Sequence, residues 1–298
     1  MSWWQLNLRC SAEYLEQVEQ QLAELGALSI SLTDAGDVPI YEPLPGQQPV
    51  WSKVIVTGTF DPAVNPDSLH QQLLAALPAE VGASLRRAQL QEQDWELAYQ
   101  KHVEPMQFGD NLWVVPSWCD PPDPSATQIV LDPGIAFGTG SHATTALCLN
   151  WLATQSIENR DVIDYGCGSG ILAIAAAKLG AQHVRAVDID PQALLATKAN
   201  AHLNALGEHH LTASFPEELS SRSTDMLLAN ILANPLIELA PRFAKLIRPG
   251  GKIMLSGLLK TQLEGIQLAY QPWFDLEPPR LQEDWVGLGA TRSTRQAA

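Results

Sequence analysis

Three glycines at alternate positions, Gly166, Gly168 and Gly170, follow the apolar run Val162-Ile163-Asp164-Tyr165 and lead straight into the helical stretch ILAIAAAKLG. Glycine at such a turn permits positive φ and close approach of a ligand, and the helix that follows offers unpaired N–H groups. A loop of this build holds a cofactor. Eighteen residues after Gly170 a second apolar run ends at Asp188. A carboxylate at a strand tip can accept hydrogen bonds from both hydroxyls of a ribose. Charged hydrogen bonds contribute roughly 1.5 to 3 kcal/mol, so losing Asp188 should weaken nucleoside binding roughly ten- to a hundredfold. The competing role, a helix N-cap, is already filled by Asp190 ahead of Pro191.

A third polar residue, Asn230, stands at the end of the apolar run DMLLAN and opens Asn-Ile-Leu-Ala-Asn-Pro. Its amide can contact a cofactor or accept a hydrogen bond from an incoming amine; alternatively Asn230 caps the next helix, with Asn234 before Pro235 as the rival cap. The segment LDPGIAFGTGSHATTALCL, 131–149, is a glycine-rich loop entering a helix. No Lys-Ser or Lys-Thr follows its glycines at the spacing of a phosphate-binding P-loop. Ser141, Thr144 and Thr145 can cap that helix or reach a ligand, and for Thr145 the two roles stand level. His142 invites a general-base role, but a lone histidine in a glycine loop more often fixes backbone groups. No catalytic residue is assigned from the sequence.

A dinucleotide fingerprint needs G-x-G-x-x-G, and here the third glycine comes one residue early. The pattern D-x-G-x-G-x-G over 164–170 instead resembles the first motif of class I S-adenosylmethionine-dependent methyltransferases. In amine- and amide-methylating members of that class an Asn or Asp is often followed by Pro-Pro and an aromatic. This chain keeps Asn230 and lacks the rest.

The elements that position these residues alternate strand and helix, with strands predicted near 161–165, 183–188, 225–231, 252–257 and 285–291. That order implies a mainly parallel sheet covered on both faces, with ligands at the carboxyl ends of its strands. The fold expected for 105–298 is therefore α/β and Rossmann-like. The chain before it reads differently. Strands over 3–10, 27–33, 51–60 and 83–90 with helices over 11–25 and 67–77 give a βαββαβ order, and the natural packing is a ferredoxin-like α+β sandwich over 1–91. Leu15, Val18, Leu22 and Leu25 share one face of the first helix. The stretch 34–49 is a loop, 92–104 a short linker helix, 108–118 a hairpin turning at 109–111, 120–125 a proline-rich surface loop, and 293–298 a disordered tail.

The charge is −15, from 18 basic and 33 acidic residues, which works against binding a long stretch of phosphate backbone. Up to Glu104 there are 14 acidic against 5 basic residues. So acidic a front domain suits a basic macromolecular partner, or is simply a soluble surface. The start MSWWQLNLRCSAEYLEQ lacks a basic region followed by an apolar core, and no apolar run is long enough to span a membrane, so a cytoplasmic protein is expected. Cys10, Cys119, Cys148 and Cys167 are too dispersed for a zinc site or a disulfide framework, and no metal site is proposed. Cys167 reads as a small uncharged filler.

Taken together, the acidic βαββαβ front, LDPGIAFGTGSHATT, VIDYGCGSGIL, AVDIDPQAL and LLANILANPL resemble the bacterial ribosomal-protein L-eleven methyltransferase family over essentially the whole chain. The resemblance implies a front domain that recognises the ribosomal protein, a flexible linker, and a catalytic domain that trimethylates lysine side chains and the N-terminal α-amine. It implies S-adenosyl-L-methionine as cofactor, with contacts from Thr145, Gly166, Gly168, Asp188 and Asn230. Two other functions stay open at this stage: a methyltransferase of the same build acting on another protein or small molecule, and a non-catalytic module that retains a nucleoside pocket.

Overall fold

The computed structural model describes residues 2–36, 50–91, 103–132 and 141–294. Most of the expected loop at 34–49, the linker at 92–102, the glycines of 133–140 and the last residues of the expected tail lie outside the described residues. The chain divides into two compact units, Met1–Lys101 and His102–Ala298.

In the first unit the order is β1 (Ser2–Ser11), α1 (Leu15–Glu24), β2 (Ser29–Asp34), β3 (Lys53–Phe60), α2 (Pro66–Ala76), a short α3 (Ala79–Gly82) and β4 (Arg86–Gln91). The strands form an antiparallel sheet in the order β2-β3-β1-β4. Period-two alternation sends Leu6, Leu8 and Cys10 of β1 and Val54, Val56 and Phe60 of β3 to the buried face. There they meet Val18 and Leu22 of α1 and Leu69 and Leu73 of α2, all buried. Gly58 lets α1 approach the sheet, since a Cβ there would sit 2.9 Å from Leu22 Cδ2. The first helix begins later than its apolar period suggests, because Ala12–Tyr14 forms a tighter 3-10 turn.

The second unit opens with the hairpin β5 (Met106–Phe108) and β6 (Leu112–Val115), to which β7 (Thr127–Val130) adds in parallel. Its main sheet is built from β8 (Asp161–Tyr165), β9 (His183–Val187), β10 (Leu211–Ser214), β11 (Thr224–Asn230), β12 (Ile247–Leu259), β13 (Phe274–Leu276), β14 (Arg280–Gln282) and β15 (Trp285–Arg292). The order is β10-β9-β8-β11-β12-β15-β13, with β14 beside β15. From β10 to β12 every pairing is parallel, as the alternation implies. Beyond β12 the sheet turns antiparallel at β15, a feature that alternation alone does not reveal. The helices are α4 (Ala143–Ala153), α5 (Ile171–Lys178), α6 (Pro191–Leu203), α7 (Ala233–Leu246) and α8 (Leu263–Tyr270).

Two apolar cores lie on the two faces of this sheet. Helices α4 and α5 are apolar all round and buried nearly throughout, as expected of helices packed inside a large α/β unit. α4 lies close against β15 because Gly287 has no side chain; a Cβ there would be 3.2 Å from Leu147 Cβ and 2.6 Å from Met254 Cε. Among the described residues no helix is long and apolar enough to cross a membrane, and no group of His, Cys, Asp and Glu is placed to hold a metal ion.

Candidate functional site

At the carboxyl end of β8 the chain passes through Gly166, Gly168 and Gly170 at φ +83°, +53° and +80°, the left-handed region that L side chains rarely adopt. Each glycine has its own neighbour. The N–H groups of Gly166 and Cys167 donate to the Val187 carbonyl at 2.7 and 3.0 Å, which ties the loop to the end of β9. Gly168 N–H donates to Asp188 Oδ2 at 2.9 Å. Gly170 faces α6, where a Cβ would meet Thr197 at 2.9 Å. The third glycine therefore serves close packing rather than ligand approach.

The helix N-terminus behind the loop is not free for a ligand. Ala173 N–H donates to Asp164 Oδ2 at 2.9 Å and Ile171 N–H to Ser169 Oγ at 3.4 Å. The sequence offers these donors to a ligand, but the strand's own carboxylate has taken one of them. Asp164 is 1 % exposed and its Oδ1 has no hydrogen-bond partner. Burial, reinforced by the nearby Asp188 charge, pushes its carboxyl up to about 7 against the opposing hydrogen bond from Ala173.

Asp188 stands at the end of β9, partly exposed, with Oδ2 on Gly168 N–H and Oδ1 on Asp190 N–H at 3.0 Å. A carboxylate has about four acceptor positions, so two remain for a diol. Asp190 caps α6 by accepting from Gln192 N–H at 2.8 Å, which leaves Asp188 out of that role.

Asn230 ends β11 beside Ser256 of β12 and reaches α4, where its Nδ2 donates to Thr145 Oγ1 at 3.3 Å. Its Oδ1 is buried and has no hydrogen-bond partner among the described residues. Neither Asn230 nor Asn234 caps α7: the N-cap is Leu232, with no side-chain hydrogen bond, and Asn234 already lies inside the helix. Thr145 does not cap α4 either. That role falls to His142, whose Nδ1 accepts from Thr144 N–H at 3.3 Å while its ring meets Trp285 edge-on. Thr145 is fully buried.

The structure thus gathers Gly166, Gly168 and Asp188 into one cluster and joins Thr145 to Asn230, all at the carboxyl end of the parallel strands. Three supporting residues escaped the sequence reading. Thr197 Oγ1 donates to the Gly168 carbonyl at 3.1 Å, Asn200 Nδ2 donates to the Ser169 carbonyl at 2.8 Å, and Asn204 holds both the N–H and the carbonyl of Val130. Their signal was a polar stripe at i, i+3 and i+7 on the face of α6 that should be apolar. Cys167 is buried, accepts from Thr197 Oγ1, and its thiol is pushed far up by burial. It is a filler and no nucleophile.

The arrangement fits a nucleoside: it offers a carboxylate with spare lone pairs for a diol and, among the described residues, a buried amide oxygen without a hydrogen-bond partner. Comparison with known proteins agrees. Residues 2–293 match the family model described as ribosomal protein L11 methyltransferase (PrmA). The ribosomal protein L11 methyltransferase of Marinobacter nauticus is 46 % identical over 98 % of this chain and 99 % of its own. That of a Psychrobacter species is 49 % identical over 93 % of this chain and 92 % of its own. The crystal structure of the ribosomal protein L11 methylase of Lactobacillus delbrueckii subsp. bulgaricus superposes with a TM-score of 0.59 at 33 % identity, covering 64 % of this chain and all of that one.

Proposed function

The chain belongs to the ribosomal protein L11 methyltransferase family, and from that premise we propose that it trimethylates lysine side chains and the N-terminal α-amine of ribosomal protein L11 at the Asn230–Thr145 pair. The methyl donor is S-adenosylmethionine, which when bound supplies an electrophilic methyl group on a cationic sulfur. Thr145, Gly166, Gly168, Asp188 and Asn230 are the residues that would hold it. Asp188 keeps two acceptor positions for its ribose, and Gly166 and Gly168 carry the loop through left-handed backbone beside it.

The observation that carries the reading is the buried, unpartnered Oδ1 of Asn230. With Nδ2 donating to Thr145, the amide presents its oxygen as an acceptor, the role needed to orient an amine N–H. A lysine of pKa about 10.4 must lose a proton at a cost of roughly 4.6 kcal/mol at neutral pH, and an α-amine near pKa 8 only about 1 to 1.5 kcal/mol. A site that is apolar and near a positive charge lowers the amine pKa, so alignment rather than a dedicated base is what the protein must supply.

The number of N–H groups on the amine falls at each transfer, from two to one to none. Asn230 can therefore steer the neutral amine in the first and second transfers and has nothing to grip in the third. Mass spectrometry of ribosomal protein L11 incubated with Asn230→Ala enzyme tests this: the first two methylations should slow far more than the third. Equal slowing of all three, or an unchanged rate, would refute the role.

The same reading gives recognition of the protein substrate to a ferredoxin-like domain over 1–91, with 92–104 as linker and 105–298 as the catalytic domain. It is supported by the β2-β3-β1-β4 order with two packed helices, by the division of the chain near Lys101, and by an acidic front facing a basic ribosomal protein. A cytoplasmic location follows from the substrate.

A further inference from the structure

The loop that carries Asn230 is gripped from two sides through the next residue, Ile231. On one side lies Gly166: a Cβ there would fall 2.2 Å from Ile231 Cγ2, so that methyl group already rests on the glycine. On the other lies Gly257, in none of the motifs and within the register shift of β12 against β15. Gly257 has φ +84°, and a Cβ there would fall 2.3 Å from the Ile231 carbonyl oxygen, 2.8 Å from its carbon and 3.0 Å from its nitrogen. These are backbone atoms, which cannot rotate away as a side-chain tip can. Ser256, just before Gly257, is the register partner of Asn230 and is itself anchored by donating to the Val286 carbonyl at 3.1 Å. The floor under the Asn230–Ile231 peptide is therefore rigid, and its height is set by the missing side chain of Gly257.

We propose that Gly257 is a positioning residue for methyl transfer: together with Gly166 it clamps Ile231 and so fixes where the Asn230 amide stands. The inference rests on the reading of Asn230 given above. It also links the cofactor loop to the amine-orienting loop, because Ile231 of the latter rests on Gly166 of the former.

Gly250, in the same strand at φ +77° but with open space where its Cβ would be, provides the control for backbone strain. Both substitutions strain left-handed backbone, so Gly250→Ala measures the thermal stability lost to strain alone and Gly257→Ala should lose more, the excess coming from its clash with Ile231. Only Gly257→Ala should also lose turnover, by about a hundredfold for a displacement of roughly 1 Å, with donor affinity measured by calorimetry little changed. Ile231→Ala loosens the clamp from the other side and carries the test should Gly257→Ala not fold. Both losses should vanish when the changes are made in an Asn230→Ala background, because a residue that acts through Asn230 has nothing left to position. Full turnover in the single variants, or losses that persist in that background, would overturn the proposal while leaving Asn230 its role. A fully active Asn230→Ala enzyme would instead overturn the reading of Asn230 itself.

Discussion

The two ends of the main sheet treat their polar groups in opposite ways. At the amino ends of its strands the carboxylates are matched to cations: Asp161 pairs with Arg222 at 2.7 Å, and Asp225 pairs with Arg248 and, at 3.9 Å, with Arg160 while accepting from Asp161 N–H. At the carboxyl ends Asp164 and Asn230 each keep a buried oxygen that, among the described residues, has neither a hydrogen bond nor a cation, whereas Asp225 Oδ1, also without a hydrogen bond, is paired with Arg248. The backbone at the carboxyl ends also runs through positive φ at Gly166, Gly168, Gly170 and Gly257. An unmade hydrogen bond to a buried polar atom costs about 1 to 3 kcal/mol. A fold that pairs its charges at one end and leaves acceptors open at the other gives up stability at the end where binding is proposed.

The sharpest way to break this contrast is to remove an open acceptor. Asn230→Ala should lower turnover roughly a hundredfold, in the range found for deleting a single polar group aimed at a reacting centre. Its thermal stability should change little, because the side-chain hydrogen bond it loses among the described residues is a long one, the 3.3 Å contact to Thr145. Steady-state rates beside a melting curve separate the two effects. Next in size is Asp188→Ala, expected to weaken donor binding roughly ten- to a hundredfold by titration calorimetry. Asp188 also anchors Gly168 N–H and Asp190 N–H, so part of that loss is a looser loop. Asp188→Asn keeps one acceptor and should fall between the wild type and the alanine variant.

Which parts of this contrast are readable in the sequence follows from how local their causes are. Glycines at 166, 168 and 170 announce themselves because only glycine takes left-handed backbone without strain, and Asp190-Pro191 marks a helix start by chain chemistry alone. Family resemblance supplied Asn230 and Thr145, whose partnership spans 85 residues of sequence and has no local signature. The grip of Thr197 and Asn200 on the glycine loop is equally non-local. Short strands such as β7, β10, β13 and β14 are three or four residues long and too brief to show a period. Pro235 suggested that Asn234 caps α7. In fact the helix starts earlier, and Leu232 takes the cap position without a side-chain bond because β11 delivers the chain directly into it.

The buried Asp164 sharpens the comparison through pH. Its folded-state carboxyl is raised by burial and then by Asp188 to about 7, above the unfolded value near 4. A group raised in this way contributes stability that is fully present below the unfolded value and is lost as pH rises through the folded one. Between those limits the loss is on the order of 1 kcal/mol per pH unit. Asp164→Asn preserves an acceptor for Ala173 N–H and removes the charge. Urea unfolding at pH 5 and pH 8 should therefore show the variant gaining on the wild type as pH rises. A constant difference between the two proteins would mean that Asp164 does not titrate in this window.

The smallest effect is expected at the amino end of the same sheet. Arg222 is 63 % exposed and meets Asp161 at 2.7 Å, so solvent screens most of the pair's attraction. Exposed pairs of this kind contribute about 0 to 1 kcal/mol. Asp161 also keeps its backbone ties without Arg222, through its N–H to Asp225 Oδ2 and its carbonyl to Thr224 Oγ1. Arg222→Ala should thus leave donor affinity and turnover at wild-type values and shift stability by less than about 1 kcal/mol, an effect that fades in high salt. A loss of activity there, at the end of the sheet opposite the glycine loop, would show that the two ends are coupled and that the open acceptors alone do not define the working part of the molecule.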